Sequence, residues 1–272
     1  MLDAFIYDGL RTPFGRHAGA LAPVRPDDLI AGVMRELVER NPWDAADIED
    51  VILGNTTQAG EDSRNIGRFA PLLAGFPDSV PGQTVNRLCA SGLAAVIDAA
   101  RAITCGEGEL YVAGGVESMS RAPFVLGKAE SAYSRDARIY DTTIGARFPN
   151  PRFVAQYGGH SMPETGDNVA HEFGISREAA DAFALASQQR YERTRQDGFY
   201  AGEICAVSVP TGRKTPPLQV DTDEHPRAQT TADSLARLKP LFEGGVVTAG
   251  NASGINDGAV ALIVGSRATG ER

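Results

Sequence analysis

In "TVNRLCASG", residues 84–92, Cys89 lies between a short extended run and a long alanine-rich helix expected from about Ala90 to Thr104. A helix N-terminus beside the sulfur favours negative charge there, and Ala90, Ser91 and Gly92 are small enough to let another molecule approach closely. Those features suit a thiolate nucleophile. They also suit a small apolar residue at a crowded crossing, since cysteine is among the most buried residue types. Cys105 and Cys205, at a helix end and in a strand-like run, read as core or surface thiols. Three cysteines without CxxC spacing fit neither a disulfide framework nor a zinc site. His17, His160, His171 and His225 are scattered, so no metal centre is expected.

Two glycine-rich stretches also invite a chemical reading. "VAGGVESMS", residues 112–120, has the look of a phosphate-cradling turn but lacks the full G-x-G-x-x-G and a suitably placed acidic residue after it. A turn needing glycine for close backbone packing is the simpler expectation. "VTAGNASGINDGA", residues 247–259, suggests either backbone laid against a ligand or a tight turn before the last strand.

The elements that must position these residues follow from periodicity. "DAFIYDGL" and "DVILGNT" read as strands, and "DDLIAGVMRELVERN" as a helix with its acidic residues at the favoured N-terminal end. Extended "QTVN", the helix after Cys89 and the strand "GELYVAGGV" follow. Such alternation implies an α/β fold with a largely parallel sheet covered by helices. Beyond Ser120 the pattern breaks. Residues 121–246 are irregular, with helices expected near 166–173 and 176–197 and a strand at "EICAVSVP". "GAVALIVGS", residues 258–266, then returns as a buried central strand. Residues 1–120 and 247–272 are therefore expected to form one core, and 121–246 an insertion with its own role.

Composition narrows the function classes. With 272 residues, 42% of them hydrophobic, the chain can bury a substantial core. A formal charge of -9 gives nucleic acid or an anionic membrane no electrostatic reason to bind. Apolar runs fall short of the roughly 20 residues of a membrane span, and no leader pattern opens the chain, so a cytoplasmic protein is expected.

Taken together, "RTPFGRHAGAL" at 11–21, "NRLCASG" at 86–92, "GGVESMS" at 114–120 and "GNASGINDGA" at 250–259 resemble motifs of the thiolase family, in family order and at family-like spacing. The similarity spans essentially the whole chain and corresponds to the family's N-terminal half. "AGEDSRN", "RAPFVLGKAESAYSRDARIYDTTIGARFPNP" and "QYGGHSMPETGDNVA" look more like the family's 3-oxoadipyl-CoA branch than its acetoacetyl-CoA branch.

The resemblance implies a thiolase-like fold, one mixed, mostly parallel sheet with an inserted loop domain. It also implies thiolytic cleavage of a 3-oxoacyl-CoA through an acyl group on Cys89. Coenzyme A would enter as a substrate, with no permanently bound cofactor and no metal. Phe153, Met162, Arg227, Ser234, Phe242, Ala249 and Ser253 match positions that line the CoA tunnel or meet its nucleotide end. Ala90 departs from the family's usual glycine, and Ser161 stands where acetoacetyl-CoA enzymes tend to have histidine, with His160 one place off. A dicarboxylic acyl chain would need a cation, and Arg135, Arg138, Arg147 and Arg152 cluster in the branch-like stretch.

Nothing after Ser253 contains a cysteine or histidine, so the family's second half, with its activating histidine and second cysteine, is expected to be absent. The alternatives are a non-catalytic domain binding CoA or a partner half, and an acetoacetyl-CoA thiolase. A ketoacyl synthase is disfavoured because those enzymes lack the long insertion. The full-length enzyme would be a homodimer or homotetramer.

Overall fold

A computed structural model describes residues 3–212 and 214–271. In the first part of the chain β1 (Phe5–Arg11), β2 (Gly15–Arg16), α1 (Pro26–Glu39), β3 (Asp50–Gly54), α2 (Ile66–Ala74), β4 (Gly82–Val85), α3 (Ser91–Cys105) and β5 (Leu110–Ser118) follow one another. α1 starts with a proline in its first turn beside Asp27 and Asp28, and buries Leu29, Ile30, Val33, Met34 and Leu37. α2 was not apparent from the sequence, because it is short and carries Pro71. It lies tight on β4. A Cβ on Gly67 would stand 2.0 Å from the Gln83 carbonyl oxygen, so glycine there is what permits the contact.

The main sheet runs β1-β10-β5-β3-β4, with β10 spanning Asn256–Gly265 and β2 pairing to its start. β3 pairs in parallel with β4 and β5, whereas β10 is antiparallel to both β1 and β5. The sheet is thus mixed, with its parallel part confined to the βαβ crossovers. The antiparallel step has a topological consequence. Ser118, at the end of β5, sits opposite Asp257, at the start of β10, so the segment between them leaves and re-enters at one end of the sheet. Gly54 pairs with Gly115 on one side and Val85 on the other, so β3 and β4 also finish at that end. Gly114 and Gly115 are inside β5 rather than in a turn. Close backbone packing is their reason, since a Cβ on Gly114 would meet the Val260 carbonyl oxygen at 2.0 Å.

The segment between β5 and β10 carries the hairpin β6 (Phe124–Leu126) and β7 (Ile139–Asp141), helices α4 (Pro151–Tyr157), α5 (Met162–Phe173) and α6 (Arg177–Gln196), the hairpin β8 (Val207–Val209) and β9 (Leu218–Val220), and α7 (Ala232–Ala236). A short α8 (Arg267–Gly270) follows β10. α5 begins earlier than its periodicity suggests, because Ser161 and Glu164 form a reciprocal cap. In the run "EICAVSVP" only Val207–Val209 is strand. Cys205, Val209 and Val220 nevertheless join the main core under α1. Arg11 anchors this join. Its guanidinium makes two bonds to Asp223 (2.7 and 3.0 Å) and one to Glu203 (2.7 Å), while Asp223 also accepts from the Phe14 amide and the Tyr191 hydroxyl.

Candidate active site at the carboxyl end of the sheet

Cys89 lies in the tight turn between β4 and α3, at the sheet end where β3, β4 and β5 finish. The turn is built by local hydrogen bonds. The Leu88 amide donates to Asn86 Oδ1 (2.9 Å), the Ala90 amide to Arg87 O (3.1 Å) and the Ser91 amide to Leu88 O (3.0 Å). Buried Ser91 locks it, since its Oγ accepts from the Arg87 amide (2.8 Å) and donates to Leu88 O (2.6 Å). The lock holds Leu88 at φ 52°, a left-handed conformation that costs a branched residue on the order of 1–3 kcal/mol. Cys89, the next residue, is exposed. The bonds that close the turn do not use the Cys89 amide, so that donor remains for an incoming group.

The start of α3 is pressed on the sheet. A Cβ on Gly54 would lie 2.5 Å from the Ser91 backbone, and Ser91 is held where the ends of β3 and α3 meet. The other two thiols differ from Cys89. Cys105 is exposed and ends α3, at the negative end of the helix dipole. Cys205 is buried beneath β1 and donates to Arg11 O (3.3 Å). Its thiol is pushed up to about 11 by burial and then by the nearby Glu36 carboxylate.

Two acidic residues of the glycine-rich stretches turn out to be ties between loops. Glu117 accepts from the amide and hydroxyl of Thr56 (both 2.8 Å) and the amide of Thr57 (3.1 Å), fixing the loop after β3. Buried Asp257 accepts from the Ser120 amide (2.9 Å) and so fixes the exit from β5. Asn86 reaches Thr56 O (3.4 Å), which connects the cysteine turn to the same loop. Glu61, in "AGEDSRN", pairs with Arg121 and Arg25, and the Arg121 hydrogen bonds hold its carboxyl below the usual range. Periodicity carries no signal for such ties, because each joins residues distant in sequence.

Of the seven residues matched to CoA contacts, Phe153 stands on α4, Met162 opens α5, Ser234 is on α7, and Arg227, Phe242, Ala249 and Ser253 occupy the loops around them; all are exposed. Buried or half-buried ties hold their carriers together. Asp167 of α5 accepts from the Val246 and Val247 amides (2.7 and 2.9 Å). Asn251 donates to Asp181 of α6 (2.9 Å) and to Val246 O (2.9 Å). Arg177 bonds Asp181 and the carbonyls of Leu235 and Leu238. The Arg227 amide donates to Gln188 of α6 (2.8 Å), and the Ser234 hydroxyl is spent on a cap with Thr231. Asn251 and Asp167, which position Ala249 and Ser253, were not singled out from the sequence. Among the described residues no cluster of metal-binding side chains occurs.

Comparison with known proteins agrees with this architecture. The thiolase N-terminal domain family matches residues 4–268. A beta-ketoadipyl-CoA thiolase of Acinetobacter baylyi is 56% identical, and a 3-oxoadipyl-CoA/3-oxo-5,6-dehydrosuberyl-CoA thiolase of Escherichia coli K12 is 58% identical. Each alignment covers 98% of this chain and 67% of the relative. The crystal structure of the Bacillus anthracis acetyl-CoA acetyltransferase superposes with a TM-score of 0.89 at 36% identity, over 100% of this chain and 67% of that one. The chain thus spans about two thirds of the length of the proteins it matches, and with its sheet, its exposed cysteine turn and its inserted segment it belongs to the thiolase family.

Proposed function

We propose that the chain carries the acyl-accepting nucleophile and part of the CoA-binding surface of a thiolase that cleaves 3-oxoadipyl-CoA. The observation that carries this reading is the Cys89 turn, exposed on a strained junction at the start of α3 with its amide uncommitted. Support for the substrate comes from relatives at 56% and 58% identity whose names specify beta-ketoadipyl-CoA or 3-oxoadipyl-CoA.

In this reading the Cys89 thiolate attacks the 3-oxo carbon, and the electron pair of that carbonyl moves onto its oxygen. Collapse of the adduct breaks the bond between the second and third carbons. The leaving pair resides on acetyl-CoA as an enolate, which takes a proton to become acetyl-CoA. The remaining four-carbon diacid stays on sulfur as a thioester. The thiol of free CoA then attacks that thioester, loses its proton, and departs as succinyl-CoA, returning the sulfur of Cys89. Thiolate suits both halves, being a good nucleophile near neutral pH and a good leaving group. The Cys89 amide is the chain's own candidate donor to the developing oxyanion. Phe153, Met162, Arg227, Ser234, Phe242, Ala249 and Ser253 would hold CoA, with the Arg227 guanidinium suited to stacking on adenine or pairing with phosphate. Assembly as a homodimer or homotetramer and a cytoplasmic location complete the proposal.

Incubation with 3-oxoadipyl-CoA followed by peptide mass analysis tests it. A succinyl adduct confined to the Cys89 peptide and discharged by CoA is the expected result; an adduct on Cys105 or Cys205 instead would overturn it.

A further inference from the structure

The branch-like stretch holds four arginines, and the fold separates them. Arg135, Arg138 and Arg152 are exposed, whereas Arg147 is half-buried. Its position is fixed from both sides. Thr142, on which one Nη2 hydrogen bond ends (3.1 Å), is itself buried and bonded to Pro123 O (2.6 Å). Phe148, the next residue, packs on Tyr140 of β7 with ring centroids 4.7 Å apart. Arg147 Nη2 also reaches the hydroxyl of Thr57 (3.4 Å). That threonine belongs to the loop that Glu117 fixes and that Asn86 joins to the Cys89 turn. Arg147 therefore stands over the same sheet end as the nucleophile.

Its electrostatic state sets it apart. Of the other half-buried arginines, Arg11, Arg121 and Arg177 each have a carboxylate partner within 4 Å, and Arg68 donates from both Nη1 and Nη2 to the Val80 and Asp78 carbonyls. Arg147 has none among the described residues; both its hydrogen bonds use Nη2 and end on neutral oxygens. The N–H groups of Nη1 and Nε stay available. A half-buried guanidinium with these two N–H groups unspent can donate a charge-assisted hydrogen bond to a carboxylate.

Resting on the substrate reading above, we infer that Arg147 determines specificity by receiving the terminal carboxylate of a dicarboxylic acyl group. Cleavage of a six-carbon 3-oxo diacid leaves that carboxylate two methylene groups beyond the carbon bound to Cys89. Without a cation the charge would lose its hydration uncompensated as the acyl group enters the site. Acetoacetyl-CoA, which ends in a methyl group, gains nothing from the guanidinium.

The test is steady-state kinetics of the complete gene product with 3-oxoadipyl-CoA and acetoacetyl-CoA as paired substrates. Arg147→Ala is expected to lower the ratio of the two kcat/KM values by about 30- to 100-fold, and Arg147→Lys, which keeps the charge but not the fixed directions of the guanidinium donors, to restore part of it. The same losses with Arg135→Ala, Arg138→Ala and Arg152→Ala are not expected. Because the readout is a ratio within one protein, partial misfolding of a variant cancels. A wild-type enzyme that prefers 3-oxoadipyl-CoA and an Arg147→Ala variant that keeps the preference would overturn the role of Arg147 alone. A wild-type enzyme indifferent to the carboxylate would overturn the substrate reading and this inference with it.

Discussion

Cys89 owes its character to neighbours rather than to its own type. Ser91 ties the backbone on both sides of Leu88 and so holds a leucine in a conformation it disfavours. Ser91→Ala removes both side-chain bonds and leaves the Arg87 amide without its acceptor. The expected loss is about 1–3 kcal/mol of stability, read by urea unfolding, together with slower acylation of Cys89. Ser91→Thr, which keeps the hydroxyl, should recover part of both. Among the thiols, iodoacetamide at pH 7.5 should modify Cys89 first and spare Cys205, whose buried thiol is pushed up to about 11. Peptide mapping over a time course measures this. Modification of Cys205 in the folded protein before Cys89 would contradict the assignment.

At the scale of elements, the question is what holds the inserted segment to the sheet. The Arg11 guanidinium, with Asp223 and Glu203, couples β1 to the segment that carries β8, β9 and the loops bearing Arg227. Burial alone would raise the Asp223 carboxyl, but the bonds from Arg11, Phe14 and Tyr191 outweigh it and hold the carboxyl below its usual value. A carboxyl depressed in the folded state stabilises above its unfolded pKa, and the contribution is lost as pH falls through the folded value. Thermal unfolding should therefore show a loss of stability below about pH 4 that is smaller in Asp223→Asn. Arg11→Met leaves the Asp223 carboxylate, whose side chain is 1% exposed, without its cation. A cost of about 3–5 kcal/mol at pH 7 is expected by the same measurement.

For the molecule as a whole, α3 and the turn before it combine a buried face with uncovered leucines. Ala94, Ala95, Ala99, Ala100 and Ile103 face the core, yet Leu93 is 65% exposed and Leu88 at the turn 67%. The run Leu88–Cys105 is apolar enough to have the composition of a membrane span, although α3 here packs on β3, β5 and β10 as part of one sheet layer. An apolar face of this kind drives association. The 272-residue chain is expected to self-associate in sedimentation velocity, and Leu93→Glu to shift it towards monomer. Thiolysis by the chain alone should fall at least about a hundredfold below that of a full-length relative. No histidine or carboxylate is bonded to the Cys89 sulfur among the described residues, and general acid or base catalysis contributes at least that factor. A steady-state assay of the purified chain measures this, and turnover within tenfold of the relative would show that His17, His160, His171 or His225 supplies the base.

Much of this was legible in the residues themselves. The small residues after Cys89, the acidic first turn of α1, the Ser176 cap of α6 and the apolar run of β10 act within a turn or a strand, so local order reveals them. The motif resemblance likewise pointed to Cys89 and to a CoA-holding insertion. Tertiary structure alone decided the rest. Pairing of Ser118 with Asp257 makes β10 antiparallel and puts the insertion at the Cys89 end of the sheet, across a separation of 139 residues. The same long-range packing half-buries Arg147 while leaving Arg135, Arg138 and Arg152 in solvent, although the four look alike along the chain. It also makes Glu117 and Asp257 ties between loops distant in sequence. Periodicity and caps depend on neighbours a few residues away, whereas burial, register and the partner of a charge depend on which distant strand or loop the chain brings alongside.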